Sequence, residues 1–150
     1  DRDVLCHFHS LFPKPNPIIY LRPTCPFRDA EILCRAILQY EQNSPICTSL
    51  SSVNQTHTAQ KLFWKNGIYL EGYFDHFKPD MPEYFVMPRQ RFKQSYVGNG
   101  YIDIVKPEIF LQQGLFYGDR ILCFETQTMI DIDTPEDLQL AEQQCVILNK

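Results

Sequence analysis

The chain predicts an α/β fold from three adjoining observations. Ile18-Ile19-Tyr20-Leu21 is a continuous apolar run of β-formers, the pattern of a strand buried on both faces. The next segment, 29–42, puts Ile32, Leu33, Ala36, Ile37 and Tyr40 on one helical face. Residues 46–53 read as a second strand, so strand, loop, helix and strand follow one another as a βαβ unit.

The elements follow in chain order. Residues 2–12 form a short amphipathic helix, with Val4, Leu5, Phe8, Leu11 and Phe12 at helical spacing, and Pro13, Pro15 and Pro17 stop it. Pro23 and Pro26 force residues 23–28 into a loop, because neither can sit in a central strand. Asp29 stands where a helix N-cap belongs. Segment 54–96 changes character: it is aromatic and polar, with strand-like pieces at 62–64 and 69–74 around Asn66-Gly67, a hairpin turn signal. It reads as an inserted arm within a single domain spanning 1–150. Gly98-Asn99-Gly100 then reads as a turn, 101–105 as a strand, 107–113 as a short helix and 121–124 as a strand. The closing helix, 134–147, has Thr134 as N-cap, Pro135 at the first helical position and Asp137 completing a capping box. Leu138, Ala141, Cys145 and Leu148 follow as one stripe facing a core.

Composition narrows the function classes. The chain has 150 residues, 44% hydrophobic and 21% charged, which is ordinary globular usage and suits one domain. Its net charge of −4 argues against a surface built for nucleic acid. No apolar run is long enough to span a membrane. The cysteines are Cys6, Cys25, Cys34, Cys47, Cys123 and Cys145; none forms a Cys-x-x-Cys pair, and they read as buried thiols in a reducing, cytoplasmic compartment. Cys6-His7-Phe8-His9 is a poor metal cluster, because helical spacing sends the two histidines to different sides.

Three segments offer chemistry. In Asp131-Ile132-Asp133 an extended backbone points both carboxylates the same way, roughly 7 Å apart at a rise of about 3.3 Å per residue. That pattern suits Mg²⁺, which takes one or two carboxylates and fills its other positions with water and phosphate oxygens. The same acids would also be favoured simply by the helix N-terminus that follows. Loop 21–28 leaves the C-terminal end of a strand, where open α/β sheets bind ligands, and offers the Thr24 hydroxyl and the Arg28 guanidinium. Pro88-Arg89-Gln90 precedes Gly98-Asn99-Gly100, which is no dinucleotide fingerprint, since Asp103 stands where a third glycine would be.

Together these segments resemble one family. Leu21-Arg22-Pro23-Thr24-Cys25-Pro26-Phe27-Arg28 resembles the Leu-Gln-Pro-Thr-Ser-Pro-Leu-Arg stretch of the acylneuraminate cytidylyltransferases, the CMP-sugar synthetases. Pro88-Arg89-Gln90 and Asn99-Gly100-Tyr101-Ile102-Asp103-Ile104 are similar to that family's Arg-Gln and Asn-Gly stretches. The segment from Ile130 through Asp131-Ile132-Asp133-Thr134 and Asp137-Leu138 to Ala141-Glu142 is similar to its closing motif. The motifs stand in family order, from residue 15 to about 145.

The resemblance implies a Rossmann-like, three-layer nucleotidyltransferase sheet whose arm, about 54–96, makes a homodimer. It implies a reaction in which CTP joins a 2-keto sugar acid, sialic-acid-like, the anomeric hydroxyl attacks the α-phosphate and pyrophosphate leaves. By motif position Asp131 and Asp133 become the catalytic Mg²⁺ ligands. Arg22, Lys61, Arg89 and Asn99 fall on the sugar side, with Gln90, Thr24 and Arg28 as further substrate contacts. Arg89 and Lys61 form a cationic pair suited to a sugar carboxylate. The arm's aromatics, Phe63, Trp64, Tyr69, Tyr73, Phe74, Phe77, Tyr84 and Phe85, are too many for a solvated hairpin, which fits an interface.

This chain departs from the family where Arg22 stands for Gln, which adds a charge on the sugar side, where Cys25 stands for Ser, and in its Asn-Gly-Tyr-Ile-Asp ending, where Asp103 stands for Tyr. The family's opening strand and lysine-bearing phosphate loop also have no counterpart among these residues. The first strands are therefore expected to be missing, and the 150 residues alone are expected to be poorly soluble and to leave CTP unbound. Two other classes stay open: a metal-dependent glycosyltransferase using Asp-x-Asp, and a non-catalytic remnant that dimerises or binds a sugar acid.

Overall fold

The computed structural model describes residues 1–74 and 83–148, the last without its side chain, so Phe77 and the side chain of Leu148 lie outside the described residues. The chain divides into two compact units, Asp1–Val53 with Gly98–Lys150, and Asn54–Val97. In order, the elements are α1 (Arg2–Leu11), β1 (Ile18–Tyr20), α2 (Ala30–Asn43), β2 (Ser49–Thr56), β3 (Phe63–Asn66), β4 (Tyr69–Gly72), β5 (Ser95–Val105), α3 (Pro107–Gln112), β6 (Ile121–Glu125) and α4 (Pro135–Leu148). No described helix is long and apolar enough to cross a membrane.

The first unit is mixed α/β. Its sheet runs β1-β5-β2-β6, with β1 antiparallel to β5 and β2 parallel to β6. Alternation along β5 sends Ile102 and Ile104 to one face and Val105 to the other. On the first face they join Leu50 and Phe124 beneath Ala36 and Tyr40 of α2. On the second, Val105 packs with Leu5 of α1 and Phe110 of α3. Leu50, Ile102 and Ile104 are almost wholly buried, and each contributes about 1.5–3 kcal/mol of transfer free energy. Asp29 caps α2 as its sequence position predicts: its carboxylate accepts from the N–H of Glu31 at 2.7 Å and of Ile32 at 3.4 Å.

Three expectations change. β1 is not buried on both faces: Ile19 is 45% exposed, because β1 pairs with β5 alone and forms a sheet edge. The strand, helix and strand of β1, α2 and β2 follow in the expected order, with β5 lying between the two strands in the sheet. The second strand spans Ser49–Thr56 rather than 46–53: the apolar Ile46 and Cys47 precede it, and Ser49, Ser51 and Ser52 are buried within it, on both faces. Gly98-Asn99-Gly100 lies inside the eleven-residue β5 rather than before a strand. Gly100, at φ 66°, supplies a left-handed residue within the strand, and the Asn99 side chain accepts from the Tyr101 N–H at 3.2 Å. The cysteines divide as well: Cys25 and Cys47 are buried, whereas Cys34, Cys123 and Cys145 are exposed.

The start of α4 matches its sequence closely, while its apolar stripe does not. The Asp137 N–H donates to the Thr134 hydroxyl at 3.2 Å, and the Thr134 N–H donates back to Asp137 Oδ2 at 2.9 Å, a reciprocal capping box. Among the described side chains of the predicted stripe, Ala141 is buried, and Leu138 and Cys145 are exposed. Periodicity groups residues on a face, but it does not supply the element that covers that face. The hydrogen bond from the Thr134 hydroxyl, opposed by slight desolvation, holds the Asp137 carboxyl below its ordinary range. A depressed folded pKa contributes stability above the unfolded value of about 3.9, and this is lost as the pH falls through the folded value. Acid titration of the helical circular dichroism is therefore expected to show a low-pH step that Asp137→Asn abolishes; an unchanged step would assign it to another carboxylate.

The second unit is built around the β3–β4 hairpin, antiparallel with Asn66 opposite Tyr69. Gly67, at φ 60°, opens its two-residue turn. Behind it Phe63 packs on Phe85 at a ring separation of 4.8 Å, and Trp64 stacks on Tyr73 at 4.7 Å. Tyr84 is 2% exposed and accepts the N–H of Phe74 at its hydroxyl. Part of the aromatic series thus makes this unit's own core, while Trp64, Tyr69 and Leu70 remain exposed.

Candidate functional site

The motif segments of the first unit gather where β1 ends and loop 21–28 begins. The loop is shaped from within. Arg28 donates from Nε to the carbonyl of Tyr101 at 3.1 Å, from Nη2 to that of Arg22 at 2.6 Å, and from Nη1 to that of Cys25. Its guanidinium also lies 5.9 Å from the centre of the Tyr101 ring. The Tyr101 hydroxyl in turn accepts the N–H of Asp29 at 2.6 Å, fixing the loop to the start of α2. Arg28 therefore acts here as the internal brace of the loop, with three of its five donors spent on carbonyls.

The second motif meets this loop directly. The N–H of Ile132 donates to the carbonyl of Thr24 at 2.8 Å, which seats Asp131-Ile132-Asp133 against it. Asp133 is exposed, whereas Asp131 is half-buried, and its Oδ1 is buried without a hydrogen-bond partner. Burial pushes the thiol pKa of Cys25 up; Arg28 opposes that shift and Asp131 adds to it, so the three groups share one field. The third motif arrives from β5. Asn99 donates from Nδ2 to the hydroxyl of Thr126, just beyond β6, at 2.7 Å. Gly100 lies against the Arg22 stem, so close that a Cβ at Gly100 would stand 2.8 Å from Arg22 Cδ.

Beneath Arg22 sits a buried carboxylate. Asp103 is 1% exposed; its Oδ1 accepts from Ser51 Oγ at 2.8 Å and from the Tyr117 hydroxyl at 3.0 Å. Its Oδ2 faces Arg22 Nη2 at 3.6 Å, an ion pair longer than a hydrogen bond. Burial raises the Tyr117 phenol pKa, so this group stays a neutral donor to Asp103. Sequence reasoning does not reach this cluster. Ser51 and Tyr117 carry no motif, and they meet Asp103 from 52 and 14 residues away. The one signal was that Arg22 and Asp103 are both departures from the family pattern.

Lys61, Arg89 and Gln90 belong to the second unit. Lys61 Nζ donates to the carbonyls of Phe85 and Met87 and lies 5.8 Å from the Phe92 ring centre. Arg89 and Gln90 are exposed on the single helical turn Arg89–Arg91.

A hollow of about 410 Å³ adjoins the loop, lined by Phe27, Arg28, Asp29, Ile32, Tyr101 and Met129. A larger one, about 540 Å³, is lined by Pro15, Pro17, Ile19, Tyr40, Lys106 and Glu108 and contains none of the predicted site residues. Size alone would favour the second; the convergence of three separate motifs favours the loop end, at the edge of the sheet where α/β folds carry ligands. Among the described residues no three His, Cys, Asp or Glu side chains form a metal cluster. Compared with models of known protein families, the chain matches none. A search of curated proteins likewise finds no match.

Proposed function

We propose that this protein is a nucleotidyltransferase of the acylneuraminate cytidylyltransferase kind, joining CTP to a 2-keto sugar acid with release of pyrophosphate. The observation that supports it most is the 2.8 Å bond between Ile132 and Thr24. It brings two motifs from opposite ends of the chain against each other, in the order and combination that carry the resemblance. Under this reading the mixed sheet is the Rossmann-like sheet of that family.

The donor set suits Mg²⁺. Asp131 offers a buried oxygen without a partner, Asp133 an exposed carboxylate, and this cation asks no more than one or two carboxylates of a protein. Asp131 and Asp133 would hold it, and when bound it neutralises charge on the triphosphate. The chain's own contribution is positional. Arg28 and Tyr101 hold the loop rigid, Asn99 ties β5 to the segment after β6, and Arg22 places a cation at the end of β1 for an anionic sugar. The experiment is a product assay on the full-length protein with CTP, N-acetylneuraminate and Mg²⁺. CMP-sugar and pyrophosphate in equal amounts are expected. Consumption of a nucleotide sugar instead would make it a glycosyltransferase, and neither reaction would leave a binding remnant.

Homodimerisation through the second unit belongs to the same reading. Trp64, Ile68, Tyr69 and Leu70 are all more than half exposed along one hairpin, an apolar patch that fits an interface. Light scattering at micromolar concentration is expected to give a dimer, and Tyr69→Lys with Leu70→Lys a monomer. A wild-type monomer would count against it.

A further inference from the structure

We propose that Tyr20 and Arg22 form a carboxylate cradle positioned by Asp103, and that the side chain of Asp1 fills this cradle until a ligand carboxylate displaces it. The identity of the ligand, a 2-keto sugar acid, rests on the cytidylyltransferase reading; the cradle itself rests on geometry. Residues two apart at the end of an extended strand project to the same side, which sets the Tyr20 phenol beside the Arg22 guanidinium. Arg22 Cζ lies 5.9 Å from the Tyr20 ring centre. Between them they hold one carboxylate by both oxygens. The Tyr20 hydroxyl donates to Asp1 Oδ1 at 3.1 Å, and Arg22 Nη2 meets Asp1 Oδ2 at 2.9 Å.

Three features mark this as a site with a replaceable occupant. Asp1 stands at the N-cap of α1, where an aspartate ordinarily bonds the first turn, yet its side chain makes no capping bond and turns to the cradle instead. Its side chain is 41% exposed, so solvent and solutes reach it. Arg22 is also underused: a guanidinium carries five donors, and its buried Nε has no acceptor. Asp103 fixes the guanidinium without taking up its donors, because their separation of 3.6 Å is ionic. Asp103 is itself immobilised by Ser51 and Tyr117. It is thus a positioning residue, and Tyr20 and Arg22 are the binding residues. Lys61, which the resemblance put forward for the sugar carboxylate, is occupied with the carbonyls of Phe85 and Met87.

A carboxylate tethered in the same chain competes with one in solution, so its removal strengthens ligand binding. The test is calorimetric titration of N-acetylneuraminate, and separately its methyl ester, into the full-length protein and three variants. Asp1→Asn is expected to tighten binding of the acid about five- to tenfold, while Tyr20→Phe and Arg22→Gln weaken it about tenfold or more. The ester is expected to bind more weakly and to ignore all three substitutions. Equal affinity of the acid for every variant overturns the cradle. So does weakening by Asp1→Asn, the result of a purely structural strut. If Arg22→Gln fails to melt cooperatively, Asp1→Asn and Tyr20→Phe still decide. CTP binding with an unresponsive acid overturns the cradle and keeps the enzyme reading. The expected acid responses without CMP-sugar formation keep the cradle and overturn that reading.

Discussion

Under the proposed cytidylyltransferase reading, Asp131→Asn is expected to cut CMP-sugar formation about 100- to 1,000-fold, the range seen when one preorganised electrostatic group is removed from a site. The substitution is nearly isosteric, so steric effects are small. Its effect on stability is expected to be small or favourable, because Asp131 Oδ1 is buried without a hydrogen-bond partner and contributes no bond to the fold. That combination, lost turnover with an unchanged melt, distinguishes a group kept for chemistry from one kept for structure. Asp133→Asn is expected to follow in the same direction from an exposed position. Full turnover of Asp131→Asn with Mg²⁺ present would remove the metal assignment, and a collapsed melt would make Asp131 a structural residue.

The opposite pattern is expected of Arg28. Replacing it with Ala leaves the carbonyls of Arg22, Cys25 and Tyr101 without this donor. Part of that loss is made good by water, since the region is only partly buried, and the remainder is about 2–4 kcal/mol. At roughly 3 °C per kcal/mol for a chain of this size, the melting temperature is expected to fall by about 6–12 °C. Arg28→Lys restores little, because a point charge cannot serve three carbonyls arranged around a planar fork. A normal melt together with weakened substrate binding would return Arg28 to the ligand.

These two residues also show where sequence reading succeeds and where it stops. Both stand in motifs, Asp131 as one of two converging carboxylates before a capped helix and Arg28 in a loop at the end of a strand. The sequence by itself determined what is local. The 3.6-residue period and Asp29 define α2, and Thr134 with Asp137 defines the start of α4. Asn66-Gly67 marks the hairpin, and the prolines at 23 and 26 mark the loop. Each depends on interactions within a few residues, which the order of side chains encodes directly. Tertiary structure alone decided that β5 separates β1 from β2, that β1 is an edge, and that Leu138 and Cys145 of the α4 stripe are uncovered. It also decided that Arg28 braces a loop and that Arg22, Asp103, Ser51 and Tyr117 form one cluster. The physical reason is common to all of these. A guanidinium or a carboxylate has the same donors and acceptors wherever it stands, and its role depends on which distant groups the fold brings within about 3 Å of it.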